Sequence, residues 1–160
     1  MAEACEYLIR QPVLGFDTET RPSFTPRHTN SVALLQLSTY ERCYLIRLCN
    51  VRLSNRMLSV LEHSDIVKIG AAVSGDIQGL SKLRKFTARG FVDLQNEVTS
   101  AGIENKSLRK MAGIVLGEKV SKAQRLSNWE AASLTDQQKM YAATDAWVCL
   151  RIYDALKAAE

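Results

Sequence analysis

Val13-Leu14-Gly15-Phe16-Asp17-Thr18-Glu19-Thr20 is the stretch that decides the fold. It follows Pro12 and reads as a strand from Val13 to Thr18. Alternate side chains of a strand share a face, so Asp17 and Glu19 point one way, Phe16 and Thr18 the other. The two acids then have α-carbons roughly 6.5–7 Å apart. Two carboxylates on one face at a strand end repel unless a cation lies between them. Hard divalent ions take oxygen ligands, which makes magnesium or manganese the natural occupant. Alone, the same pattern also fits an exposed strand end with two solvated acids.

Outward from this strand, Val32–Ser38 and Cys43–Leu48 are further strand runs separated by turn residues, and the three predict an antiparallel meander. Asn55–Glu62 reads as a helix with Leu58 and Leu61 inward, and Ile66–Ile69 as a short buried strand. Ser74–Leu83 is predicted helical, with Ile77, Leu80 and Leu83 along one face. Gly90–Val92 is a short strand candidate, and the remainder is mostly helical. Ser107 caps a helix running to about Leu116, with Gly117 just beyond. Thr135 and Gln138 form a capping-box pattern before a helix carrying Tyr141 and Asp145. Strands first, then strands alternating with helices, predict an α/β fold, a mixed sheet flanked by helices.

Two more segments carry acids. In Tyr141-Ala142-Ala143-Thr144-Asp145, a helix puts Tyr141 and Asp145 on one face. The small residues between them allow close packing on the sheet, and the phenol can orient a water beside the carboxylate. A core tyrosine with an acid at the helix rim fits equally. In Lys68-Ile69-Gly70-Ala71-Ala72-Val73-Ser74-Gly75-Asp76, a strand exits into a small-residue turn and Asp76 opens the next helix. By itself Asp76 is explained by the helix macrodipole.

Composition bounds the function classes. The chain has 160 residues, 46% hydrophobic and 24% charged, so a single domain over 1–160 is expected. Its apolar runs are far too short to span a membrane. The N-terminus has no basic stretch followed by an apolar one, so an intracellular, unsecreted protein is expected. Cys5, Cys43, Cys49 and Cys149 show no C-x-x-C spacing, and His28 and His63 stand apart, which argues against zinc. The net charge is +4, yet Ser81–Arg125 holds ten Lys and Arg against four Asp and Glu. A basic middle beside acidic ends suits a protein that grips phosphates in one place and metals in another; a solvated mixed surface accounts for the charge as well.

Together, Asp17 and Glu19, then Asp76, then Tyr141 and Asp145 resemble the DEDD 3′→5′ exonucleases of the tyrosine branch, in the expected order and over nearly the whole chain. Ala33–Ser38, Arg125–Trp129 and Leu134–Trp147 are similar in kind to the Werner-syndrome helicase exonuclease domain and its stand-alone bacterial relatives. Ribonuclease D and the proofreading domain of DNA polymerase I are more distant. Relatives with a longer N-terminal lead differ from this chain, whose first strand begins about a dozen residues in, so the sequence leaves open whether the chain is full length. The resemblance implies a ribonuclease H-like core and two divalent ions, Mg²⁺ or Mn²⁺. Asp17, Glu19 and Asp145 would hold one ion; Asp17 would reach the second, supported by Asp76. Tyr141 would orient the attacking water, and Thr18 would contact the terminal nucleotide through its backbone. In the polar loop before the last motif, Lys122 and Arg125 would hold phosphates, with Asn128 beside them; a solvated loop anchored by Trp129 is the alternative. The expected reaction is 3′→5′ removal of nucleoside 5′-monophosphates from nucleic acid, DNA before RNA. An exoribonuclease of ribonuclease D type is one alternative. A non-catalytic nucleic-acid-binding module is another, although such a protein is expected to have lost an acid and none is missing here.

Overall fold

The computed structural model describes residues 1–104 and 106–160. In chain order the elements are α1 (Ala2–Leu8), β1 (Val13–Thr20), β2 (Val32–Ser38), β3 (Cys43–Arg47), α2 (Asn55–Glu62), β4 (Val67–Gly70), α3 (Val73–Leu83), β5 (Phe91–Asp93), α4 (Leu94–Ser100), α5 (Leu108–Leu116) and α6 (Asp136–Ala158). The five strands form one sheet in the order β3-β2-β1-β4-β5. β1 is central, antiparallel to β2 and parallel to β4; β3 extends the meander, and β5 lies parallel to β4. The mixed sheet expected from the strand and helix order is present, flanked by helices on both faces.

The two faces follow from the period of β1. Leu14 and Phe16 join Leu8, Met57, Leu61, Val73 and Leu80 under α1, α2 and α3. On the other face Val13 packs with Ile69, Leu94, Val98, Met111, Val148 and Ile152 under α4, α5 and α6. Burying a Leu or Ile side chain contributes about 1.5–3 kcal/mol, so these two layers fix which way each residue of β1 points. β2 is buried along its entire length.

α6 lies close to β1 because Gly15 has no side chain. A β-carbon there would sit 1.9 Å from the Ala146 carbonyl oxygen, and Ala142 and Ala146 are fully buried. The start of α6 is set by the predicted capping box: Thr135 Oγ1 accepts from the Gln138 amide, and Gln138 Oε1 accepts from the Thr135 amide. α3 starts after Ala72, whose φ is 55°. The Ala72 and Val73 amides donate to the Asp93 carboxylate at 3.0 and 3.2 Å, and Asp93 also accepts from the Gln95 amide at 2.9 Å. One side chain thus caps two helices and fixes the turn before Asp76.

Strand ends move by one or two residues from the sequence expectation, and β1 continues to Thr20. Leu83, expected inward, is 38% exposed, because α3 ends there and the chain turns away at Arg84. α1 was not anticipated: it buries only Ala4, Cys5 and Leu8, too short a stripe to stand out as periodic.

Candidate active site

The packing of α6 on β1 brings three acids together. Carboxylate oxygens of Asp17, Glu19 and Asp145 lie within 4.8 Å of one another. Asp17 and Glu19 share the face of β1 that α6 covers. Burial pushes the Asp17 carboxyl well above its ordinary range, reinforced by Glu19, Asp76 and Asp145. Burial, then Asp145, raises Glu19 to about 8. Asp145 is raised to about 6 by burial, with Arg109 opposing. Each shift says that negative charge is held here at a cost that a positive ion would offset. An all-oxygen donor set at this spacing fits a hard divalent cation.

Asp76 stands apart from the trio. It sits on α3, across the sheet from α6, and accepts a hydrogen bond from the Thr18 hydroxyl. Thr18 is on the opposite side of β1 from its neighbours Asp17 and Glu19, so β1 presents acids to one layer and a hydroxyl to the other. Burial raises Asp76 to about 6, with the Thr18 bond opposing. Its charge still reaches both Asp17 and Glu19. The Thr18 amide donates to Asp17 Oδ1 at 2.8 Å.

Two residues not singled out from sequence complete the site. Gln36, cross-strand partner of Asp17, is fully buried. Its Nε2 donates to Glu19 Oε1 at 3.3 Å and to the Ala142 carbonyl at 3.2 Å, tying β1, β2 and α6 together. The signal was a glutamine inside the apolar run Val32–Leu37. The second residue is Arg109 on α5, which sequence counting treated only as one of many cations. Its Nη2 donates to the Tyr141 hydroxyl at 2.6 Å and to the two Asp145 oxygens at 3.3 and 3.2 Å. Tyr141 is 7% exposed, with its ring 6.0 Å from that of the fully buried Trp129. Burial, then Asp145, pushes the phenol up to about 12.

The loop residues are placed differently. Lys122, Arg125 and Asn128 are all exposed. Asn128 Oδ1 accepts from the Glu130 amide at 3.1 Å in a local turn. The loop is held from beneath, where Gln138 Nε2 donates to Ser127 Oγ at 2.7 Å and to the Asn128 carbonyl at 3.1 Å. Trp129, fully buried, anchors it. A cavity of about 500 Å³ opens between this loop and α6, lined by Val120, Ala123, Gln124, Met140, Tyr141, Thr144 and Asp145 among others. Lys122, Arg125 and Asn128 do not line it.

A family model described as 3′-5′ exonuclease matches residues 1–159. The chain is 37% identical over 153 residues to the mouse bifunctional 3′-5′ exonuclease/ATP-dependent helicase WRN, covering 90% of this chain and 11% of that protein. It is 35% identical over 148 residues to the Drosophila melanogaster exonuclease 3′-5′ domain-containing protein 2, covering 90% of this chain and 25% of the relative. The chain therefore spans a quarter or less of these relatives. Among solved structures, the Aedes aegypti Nibbler EXO domain superposes with a TM-score of 0.88 at 27% identity, over 98% of this chain and 83% of that one. Escherichia coli RNase D, at 23% identity and a TM-score of 0.85 over 99% of this chain and 43% of that one, shares the fold. With the acids in family order on a ribonuclease H-like sheet and a family model spanning nearly its whole length, the chain belongs to the DEDD-type 3′-5′ exonuclease family.

Proposed function

We propose that residues 1–160 form a single catalytic domain that hydrolyses phosphodiester bonds at the 3′ end of a nucleic-acid strand, DNA in preference to RNA, releasing nucleoside 5′-monophosphates. The observation that carries this reading is the trio of part-buried Asp17 and Glu19 with buried Asp145, which shares Arg109 Nη2 with the Tyr141 hydroxyl. Asp17, Glu19 and Asp145 would hold one Mg²⁺ or Mn²⁺; Asp17, with Asp76 in support, would hold a second. Paired divalent ions supply activation of the attacking water and stabilisation of the leaving 3′ oxygen.

The remaining work falls to the chain's own side chains. Tyr141, with its proton held to about 12, stays a phenol at neutral pH and orients the attacking water rather than deprotonating it. Gln36 fixes Glu19, and Gly15 lets Asp145 approach the strand. Thr18 binds Asp76 through its hydroxyl, and its backbone, two residues before the end of β1, would meet the terminal nucleotide. Lys122, Arg125 and Asn128, on the exposed rim, would hold phosphates of the incoming strand. The cavity between the loop and α6, mostly apolar, suits a base or sugar beside the scissile bond.

The preference for DNA follows the resemblance of Ala33–Ser38, Arg125–Trp129 and Leu134–Trp147 to the Werner-syndrome helicase exonuclease domain; the mouse exonuclease-helicase is 37% identical. RNA is the second reading, favoured by the likeness to RNase D, which is described as an exoribonuclease involved in structured RNA processing. Matched 5′-labelled DNA and RNA strands, digested in parallel with Mg²⁺, test the assignment. Shortening from the 3′ end, faster on DNA, supports it. Faster loss from RNA selects the second reading, and loss of the 5′ nucleotide first rejects both.

A further inference from the structure

The guanidinium of Arg109 is the cation in direct contact with the acidic trio among the described residues. It is not a loosely placed surface charge. Nε and Nη2 donate to the Ser121 carbonyl at 3.2 and 2.8 Å, fastening the side chain to the loop that carries Lys122. The guanidinium carbon also lies 5.2 Å from the centre of the Tyr141 ring.

Hydrogen-bond capacity decides what Arg109 can do. Nη2 has two hydrogens and four acceptors: Ser121 O at 2.8 Å, Tyr141 OH at 2.6 Å and the Asp145 oxygens at 3.3 and 3.2 Å. Two hydrogens serve two acceptors well. The two short bonds go to Ser121 and Tyr141; the contacts to Asp145 are the long, shared ones. Arg109 is thus held by partners that are not metal ligands and leans on one that is.

We propose that Arg109 is a positioning residue that serves as the resident counter-ion of Asp145 until a divalent cation arrives, and then releases Asp145 while keeping its grip on Tyr141. It does not leave the site on release, since Ser121 O and the Tyr141 hydroxyl still occupy both Nη2 hydrogens. By donating to the phenol oxygen, Arg109 leaves the Tyr141 O–H to point at the attacking water. It therefore opposes metal binding and supports turnover, two effects of opposite sign from one side chain. This inference rests on the proposed metal role of the acidic trio.

The sign difference makes the test. Mn²⁺ affinity is measured by the signal of free Mn²⁺ in paramagnetic resonance, and single-turnover cleavage is measured at saturating Mn²⁺, for the wild type, Arg109→Gln and Arg109→Lys. Removing a unit charge beside a divalent ion should tighten Mn²⁺ binding on the order of tenfold in Arg109→Gln. Its cleavage should slow roughly tenfold, because Tyr141 loses its fixed partner. Arg109→Lys, which keeps the charge without the fork, should bind Mn²⁺ as the wild type does and still cleave slowly. A merely structural arginine would give looser or unchanged Mn²⁺ binding in Arg109→Gln, and that result overturns the inference. Should Arg109→Gln fail to fold, wild-type cleavage rates in Arg109→Lys overturn it independently. A wild type that binds no Mn²⁺ instead removes the metal reading of the trio, and the inference with it.

Discussion

The acid cluster and the loop at 117–128 face the same end of the sheet but are built in opposite ways. Asp17, Glu19, Asp145 and Tyr141 project from regular elements whose directions are set by two buried layers and by the absence of a side chain at Gly15. Lys122, Arg125 and Asn128 ride on a loop whose order comes from Trp129 and Gln138 below, while their own side chains face solvent. Rigid positions suit chemistry that depends on sub-ångström placement. Exposed cations suit a strand that must slide by one nucleotide per turnover. The contrast predicts that substitutions in the first region act on rate and those in the second on binding.

The largest effect should come from Asp17→Asn or Asp145→Asn. Each replaces one carboxylate of the trio with an amide of the same size, and single-turnover cleavage should fall at least 1000-fold, about 4 kcal/mol of barrier. Circular dichroism should show the fold retained. An Asp17→Asn protein within tenfold of wild type would break the comparison at its stronger end.

Tyr141→Phe comes next. It keeps the ring against Trp129 and loses one hydroxyl, so cleavage should slow about 10–1000-fold at saturating metal with little change in metal affinity. Wild-type speed in this variant would make Tyr141 a core residue only.

On the loop, Lys122→Ala with Arg125→Ala should weaken binding of a single strand and leave the rate at saturating substrate nearly intact. The slope of log affinity against log salt should fall by roughly 1.4 for two lost phosphate contacts. An unchanged slope would show both to be plain surface charges.

The smallest effect is on stability. Burial pushes the folded carboxyls of Glu19, Asp76 and Asp145 up to about 8, 6 and 6, and that of Asp17 well above its ordinary range, against about 4 when unfolded. Between those limits the folded state binds more protons than the unfolded one, so the metal-free protein should lose stability as pH rises. Melting in chelator should occur lower at pH 8.5 than at pH 5.5, by roughly 5 °C, and Mn²⁺ should recover more at the higher pH. Equal melting at both values would mean the acids are not coupled as the geometry implies.

Much of this was legible in the sequence for a physical reason. Periods of two and of 3.6 state which residues share a face, so D-x-E on a strand and Y-x-x-x-D on a helix already carry their own geometry. What periodicity does not carry is the pairing of faces across the chain. Gln36 was visible as a polar residue in an apolar strand, but its bond to Glu19 depends on the β1–β2 register. Arg109 was one cation among ten in its segment, and only the docking of α5 on α6 separates it from the rest. The division of the acids into a trio and an outlying Asp76 follows from α3 and α6 lying on opposite faces, which no local pattern states.

In the proposed reaction these acids hold the divalent ions that drive hydrolysis from the 3′ end. It is tested most directly by a single-turnover time course on a 5′-labelled single strand, comparing the wild type with Mg²⁺, the wild type in excess chelator, and Asp17→Asn with Mg²⁺. A ladder of products shortened one nucleotide at a time from the 3′ end is expected in the first case and an intact strand in the other two. The same ladder in chelator, or from Asp17→Asn, would contradict it.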